Sequence, residues 1–146
     1  MKRHVSTAIA IMFIYGTLAV GAQAQTLGSQ TIRAKVPFAF NVGQKSLPSG
    51  VYTVSVLNPM SDRKALQIRS EDGRLSAIIQ TVGAGSNRSD NAKVVFRRYG
   101  DRYFFAQAQM AGDSTSLTTS KTRAERSAQQ ALRRGGKMTI VAVVAE

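Results

Sequence analysis

Lys93-Val-Val-Phe-Arg-Arg-Tyr-Gly-Asp-Arg-Tyr-Phe-Phe-Ala-Gln-Ala-Gln-Met110 is the stretch on which the fold turns. Two runs rich in β-branched and aromatic residues flank Gly100-Asp101, which predicts an antiparallel hairpin. Val94 and Phe96 share one face of the first strand, and Phe104, Ala106 and Ala108 are expected to share one face of the second. Tyr99 and Tyr103 fall on the other parity beside the turn, among Arg97, Arg98 and Arg102. The hairpin is therefore both a core element and a cationic, aromatic tip.

The same period of two recurs on either side. Ala34, Val36, Phe38 and Phe40 form an expected inward row, with Arg33 and Lys35 outward and Pro37 marking an edge or a bulge. Gly50 leads into Val51-Tyr-Thr-Val-Ser-Val-Leu57, where Tyr52, Val54 and Val56 share a side, and Asn58-Pro59 stops the strand. Leu66 and Ile68 pattern a strand over 64–69, Asp72-Gly73 suits a tight turn, and 75–82 reads as the returning strand. At the far end, Met138, Ile140, Ala142 and Val144 share one parity while Val141 and Val143 fill the other. That pattern predicts a last strand covered on both faces.

Between these segments the period changes once. Thr122-Arg-Ala-Glu125 matches a capping box and Gly135-Gly136 a stop, which predicts a helix over about 122–134 with an Ala124, Ala128, Ala131, Leu132 stripe. Gly83 to Asn91 and Gly112 to Ser120 read as polar connections. The first has glycines and Arg88 but lacks the pattern of a nucleotide phosphate loop. The sum is a mainly β chain, a small antiparallel β-barrel or sandwich of about seven strands with one helix near the C-terminus. A membrane-spanning barrel fits poorly, because charges interrupt the candidate lipid faces and the strand number is low and odd.

The first residues carry a different message. Lys2 and Arg3 precede an apolar run from Val5 to Val20, then Gly21-Ala22-Gln23-Ala24, the three parts of a secretory signal. The expected organisation is a signal peptide over 1–24, a short polar lead-in over 25–31 and one β-rich domain over 32–146. The expected location is periplasmic or extracellular, with no integral membrane association in the mature form. The chain has 146 residues, no Cys and a single His, His4, which lies within that leader. Its mature form would lack imidazole and thiol, which excludes Ser-His-Asp and Cys-His chemistry and His/Cys metal sites within the chain.

Val36-Pro-Phe-Ala-Phe-Asn-Val42, Leu47-Pro-Ser-Gly-Val-Tyr-Thr-Val54, Leu66-Gln-Ile-Arg69, Arg97-Arg-Tyr-Gly-Asp-Arg-Tyr-Phe104 and Lys121-Thr-Arg-Ala-Glu-Arg126 occur in order over nearly all of 32–144. In these blocks the chain resembles a family of small secreted proteins from Acidobacteria and related soil bacteria. Ser49 and Val51 stand where those proteins often read Ala and Thr, which leaves the turn-to-strand logic intact. The resemblance implies export and a β-rich fold; it implies no activity and no catalytic residues.

Charge points to a partner class. The chain holds 20 basic and 8 acidic residues, net +12, and loss of Lys2 and Arg3 would leave +10. Such an excess attracts polyanions. Arg97, Arg98 and Arg102 as cations, Tyr99 and Tyr103 as stacking surfaces, and Arg123 and Arg126 as a second patch are the expected binding residues. An acidic polysaccharide or anionic envelope surface is the expected partner of a non-catalytic binding protein. Nucleic acid is the weaker fit, since no nucleic-acid motif is present. Asp62, Glu71, Asp72, Asp90, Asp101 and Asp113 lie mostly in turns with no pair marked by spacing, so catalysis is not expected. Neither a cofactor nor a metal is expected, because Glu71 and Asp72 alone supply too few oxygens for calcium. The alternative is a structural or assembly protein of the envelope that oligomerises through a sheet edge, at Pro37 or the C-terminal strand.

Overall fold

The computed structural model describes residues 31–132 and 136–145; the expected signal peptide lies outside them. The chain runs through β1 (Thr31–Val36), β2 (Phe40–Val42), β3 (Lys45–Leu47), β4 (Gly50–Val56), β5 (Ala65–Ser70) and β6 (Ser76–Gln80). It continues through β7 (Val82–Gly85), β8 (Lys93–Tyr99), β9 (Arg102–Gln109), β10 (Thr115–Thr118), α1 (Arg123–Leu132) and β11 (Thr139–Val144). Two sheets face each other as a sandwich rather than a closed barrel. One has the order β1-β4-β5-β6, the other β11-β8-β9-β10-β7, with the β2–β3 hairpin joined to β9 by a short parallel pairing at Phe40 and Asn41.

Alternation builds the core where it is cleanest. Ile32, Ala34 and Val36 are buried while Thr31, Arg33 and Lys35 are exposed, and Tyr52, Val54, Leu66 and Ile68 are buried opposite them. Phe40 makes edge-to-face contacts with Tyr52 and Phe96, each at 5.1 Å between centroids, and so ties the first sheet to the second. Phe96 has no exposed surface and also contacts Phe38 and Phe105 edge-on. Such ring pairs add to the area each ring removes from water. Tyr52 donates to the Pro48 carbonyl at 2.7 Å, and burial first, then the nearby Asp72 charge, raises its phenol pKa.

Several expectations are corrected. Eleven strands rather than about seven occur among the described residues, because β2, β3, β7 and β10 are only three or four residues long, too short to show a period. β7 and β10 are held by distant pairing, Val82–Gly85 against Thr115–Thr118, which leaves no local alternation to read, whereas β2 and β3 form a short local hairpin. The expected strand over 75–82 breaks at Thr81, whose amide and hydroxyl both donate to the Lys64 carbonyl while the chain passes to the second sheet. Thr31 already belongs to β1 rather than to a lead-in, and Pro37 lies between β1 and β2 rather than within an edge strand.

The inward row on β9 differs as well. Val95 opposes Gln107 and Phe96 opposes Phe105, so Ala106 is an extra residue and the ladder bulges. Phe105, Ala108 and Met110 consequently join the core between the sheets, and Phe104 turns to the opposite face. Nor is β11 covered on both faces. It pairs with β8 alone and leaves Ile140 54% and Val144 56% exposed, because α1 sits over the hairpin end of β8 and β9 instead.

Phe96→Ala removes the ring that contacts three others and is expected to cost about 3–5 kcal/mol. A urea melt should show a lower midpoint; an unchanged midpoint would mean that the sandwich does not depend on this cluster.

Candidate functional site

The hairpin turn is set by Gly100, whose φ of 61° is a left-handed conformation that other L residues rarely adopt. Cross-strand pairs run Tyr99 to Arg102, Arg98 to Tyr103 and Arg97 to Phe104. Side chains alternate in direction, so these residues divide between the two faces of the hairpin. Arg98 and Tyr103 lie on the core side, and Arg97, Tyr99, Arg102 and Phe104 lie on the side of α1. The five tip residues expected to act together thus form two groups.

On the core side, Phe38 stacks on Tyr103 at 3.9 Å between centroids with 13° between planes. The Arg98 guanidinium lies 5.4 Å from the same ring centroid, and its Nε donates to the Gly100 carbonyl at 2.7 Å. Tyr103 is therefore half-buried and engaged, not an open platform for a base or a sugar. On the other side the Arg102 guanidinium lies 5.3 Å from the Phe104 centroid. Arg98 and Arg102 both remain exposed, each oriented by an aromatic ring.

Arg97 and Tyr99 are committed to a partner that the sequence did not suggest. Thr122 caps α1 as expected: its hydroxyl accepts from the Glu125 amide at 3.1 Å, and its carbonyl accepts from the Arg126 amide at 3.0 Å. In a full capping box Glu125 would reach back to the Thr122 amide. Here its side chain turns under the helix, where it is 1% exposed. Arg97 Nε lies 2.6 Å from Glu125 Oε1, Arg97 Nη2 donates to Oε2 at 3.3 Å, and the Tyr99 hydroxyl donates to Oε1 at 3.0 Å. Arg97 Nη2 also reaches the Thr119 carbonyl and hydroxyl, both at 3.4 Å.

Around this network, Ala128 and Leu132 pack on Tyr99 and Phe104. Ala124 and Ala131, expected in the apolar stripe, face solvent, because the buried face of α1 includes Glu125. The capping-box spacing was the available signal for Glu125, but it pointed to a local partner. Burial, then the hydrogen bond to Glu125 and its charge, push the Tyr99 phenol up to about 12. The hydroxyl therefore stays a donor to the carboxylate across the neutral range.

Arg123 and Arg126 are exposed on the first turn of α1, with Arg126 Nη1 donating to the Lys121 carbonyl at 3.0 Å. Leu132 lies against Gly100 at the other end of the helix. Arg123 and Arg126 are therefore nine and six residues from the end that meets the hairpin tip, roughly 14 and 9 Å along the helix at 1.5 Å per residue.

A further polar surface appears on the outer face of the first sheet. Register aligns Arg33, Thr53, Arg69 and Ser76 in one row and Thr31, Ser55, Gln67 and Ile78 in the next. Arg33 pairs with Glu71, and a hollow bounded by Arg33, Thr53, Gln67, Arg69, Glu71 and Asp72 among others measures about 570 Å³. The alternation in each strand predicts the outward residues, but only the pairing of four strands puts them side by side. The Ser70 hydroxyl first, then the Arg74 amide, hold the Asp72 carboxyl below the usual carboxylate range. That direction is opposite to the one a general acid working at neutral pH requires.

Other chemistry is sparse. Among the described residues no group of three or more His, Cys, Asp or Glu side chains could hold a metal ion, and no helix is long and apolar enough to cross a membrane. The void between the sheets, lined by Val36, Phe40, Tyr52 and Phe96 among others, is about 10 Å³, too small for a ligand. Comparison with known proteins finds no matching family model, no matching curated protein and no matching solved structure. The functional reading therefore stands on the chain's own geometry.

Two outcomes test the network. Glu125→Gln should destabilise the fold by about 3–5 kcal/mol because it strands a largely buried guanidinium, whereas the double variant Arg97→Met/Glu125→Leu should recover most of that loss. Equal losses in the single and double variants would refute the pairing. The second outcome concerns alkaline pH. A Tyr99 pKa of about 12 in the fold, against 10.0 ordinarily, stabilises the folded state fully below pH 10 and loses that contribution as pH rises towards 12. The contribution is roughly 3 kcal/mol, so denaturant melts of the parent should weaken more between pH 9 and 12 than those of Tyr99→Phe.

Proposed function

We propose that this chain is a non-catalytic, exported binding protein for an anionic polymer, with an acidic polysaccharide of the envelope or surroundings as the partner class. The observation that carries the reading is the placement of the solvent-facing cations. Arg98 and Arg102 stand at the hairpin tip, and Arg123 and Arg126 stand at the far end of α1. Separate patches on an open surface suit an extended polyanion better than a compact ligand, which would need convergent groups in an enclosed site.

Two further observations support this class of partner. The net charge of +12 leaves cations in excess once Glu71, Asp72, Asp101 and Glu125 are paired with arginines. Nucleic acid is less well served, because Tyr99 is buried and Phe38 stacks on Tyr103, which removes the two rings a base would use. The leader-like segment ending at Ala24 supports export to the periplasm or beyond. Of the seven residues expected to bind, Arg98, Arg102, Arg123 and Arg126 are exposed; Arg97 and Tyr99 serve the fold.

Protein purified after export should bind immobilised polygalacturonate saturably and more weakly as salt rises. Arg98→Ala/Arg102→Ala should lower the affinity about 5–20-fold and flatten the salt dependence, since fewer counterions are displaced. Unchanged affinity in that variant would remove the tip from the site. No binding at low salt would overturn the proposal for this polymer class.

A further inference from the structure

We infer that β11 is a self-association edge, through which two copies of this chain pair antiparallel about a two-fold axis. The inference does not rest on the polymer reading. β11 is the last strand of its sheet: its residues Thr139 to Val144 pair with Arg98 to Lys93 of β8, and no strand pairs with its other side among the described residues. The segment Met138-Thr-Ile-Val-Ala-Val-Val-Ala145 has no charge, no Pro and no Gly, in a chain where 19% of residues are charged. Its outward side chains are apolar and solvent-facing, with Met138 41%, Ile140 54% and Val144 56% exposed.

Edge strands are normally blunted by charge, brevity, bulges or cover, and the other outer strands of the two sheets show such devices, β3 by having only three residues. Arg33 and Lys35 project from β1, β7 is four residues with two glycines, and the Lys45 ammonium donates to the Ser76 carbonyl of β6. Only β11 combines six strand residues, β-branched side chains and an uncharged flank.

A second copy is the occupant that charge selects. Two chains of net +12 repel over most of their surfaces, and this neutral segment is a place where they can meet without placing like charges opposite. In sequence the segment is bounded by Lys137 at one end and Glu146 at the other. Antiparallel pairing sets the two copies' Lys137 at opposite ends of the joined strands, whereas parallel pairing would set them side by side. Side chains fit the same register. Centred on Ala142, the pairing sets Ile140 against the partner's Val144 on the outward face, and Val141 against the partner's Val143 on the inward face. The small Ala142 meets its own copy at the axis. Cross-strand pairs of this kind are the unit of sheet stabilisation, and the contact is self-complementary as a two-fold interface must be.

Sedimentation velocity on protein purified after export tests this. The expected result is a dimer at ~100 μM, dissociating on dilution as a small interface would and not weakened by added salt, which screens the repulsion between the copies. Ala142→Lys sets two ammonium groups opposite each other at the axis and should give a monomer with an unchanged circular dichroism spectrum and, at a dilution where the parent is monomeric too, an unchanged Tm, since Ala142 is exposed in the single chain. Should that variant misfold, Ile140→Thr, which keeps a β-branched residue on the exposed face, should weaken the dimer several-fold. Ile78→Lys, on the outer face of the other sheet and 63% exposed, should leave the dimer intact. A parent chain that stays monomeric at ~100 μM, a dimer that falls apart with salt, or dimers that survive the folded β11 variants would each overturn the inference.

Discussion

One extra residue in β9 governs how the two halves of this molecule are filled. Strict alternation would leave Phe105 on one face and Ala108 and Met110 on the other, so the space between the sheets would lose either its ring or its far end. The bulge at Ala106 resets the parity, and all three reach the core while Phe104 stays on the opposite side. Phe105 then closes on Phe96, which meets Phe40 and so couples the second sheet to the first. Phe104, left outside, becomes the floor on which α1 rests beside Tyr99.

That floor explains why a buried carboxylate is tolerated beneath a short helix. α1 offers only Ala128 and Leu132 as apolar contacts, which is little area to hold ten residues. Glu125 fixes the helix at one position instead, where it meets an arginine and a phenol, and Thr119 lies within reach of the same arginine's Nη2. A buried pair of this kind is costly to desolvate and costly to break. It also removes from the surface the arginine and the tyrosine that sequence reading placed in the binding patch.

What remains on the surface is organised by the same frame. Cations stand on the hairpin tip, on the first turn of α1 and in the outer rows of the first sheet, while the described acids near them are largely paired. The apolar edge of β11 begins where the hairpin does, since Thr139 pairs with Arg98. A two-fold pairing there would place the two tips at opposite ends of a joined sheet, and a polymer long enough to reach both would gain from the linkage.

Sequence alone determined the class of fold, the positions of β1, β4, β5 and the β8–β9 hairpin, the turns at Gly73 and Gly100, and the cap at Thr122. All are local: alternation, positive φ and a hydroxyl three residues from an amide leave marks within a few neighbours. Tertiary structure decided everything that depends on distant pairing. β7 and β10 exist because Val82–Gly85 finds Thr115–Thr118, the strand over 75–82 breaks because Thr81 is held by Lys64, and the parity of β9 is set by its bulge. The candidate site divides along the same line. Residue type and spacing made Arg98, Arg102, Arg123 and Arg126 legible as exposed cations, whereas the fate of Arg97, Tyr99 and Tyr103 depended on Glu125 and Phe38. Those partners are 28, 26 and 65 positions away along the chain and meet them only once the sheets have closed.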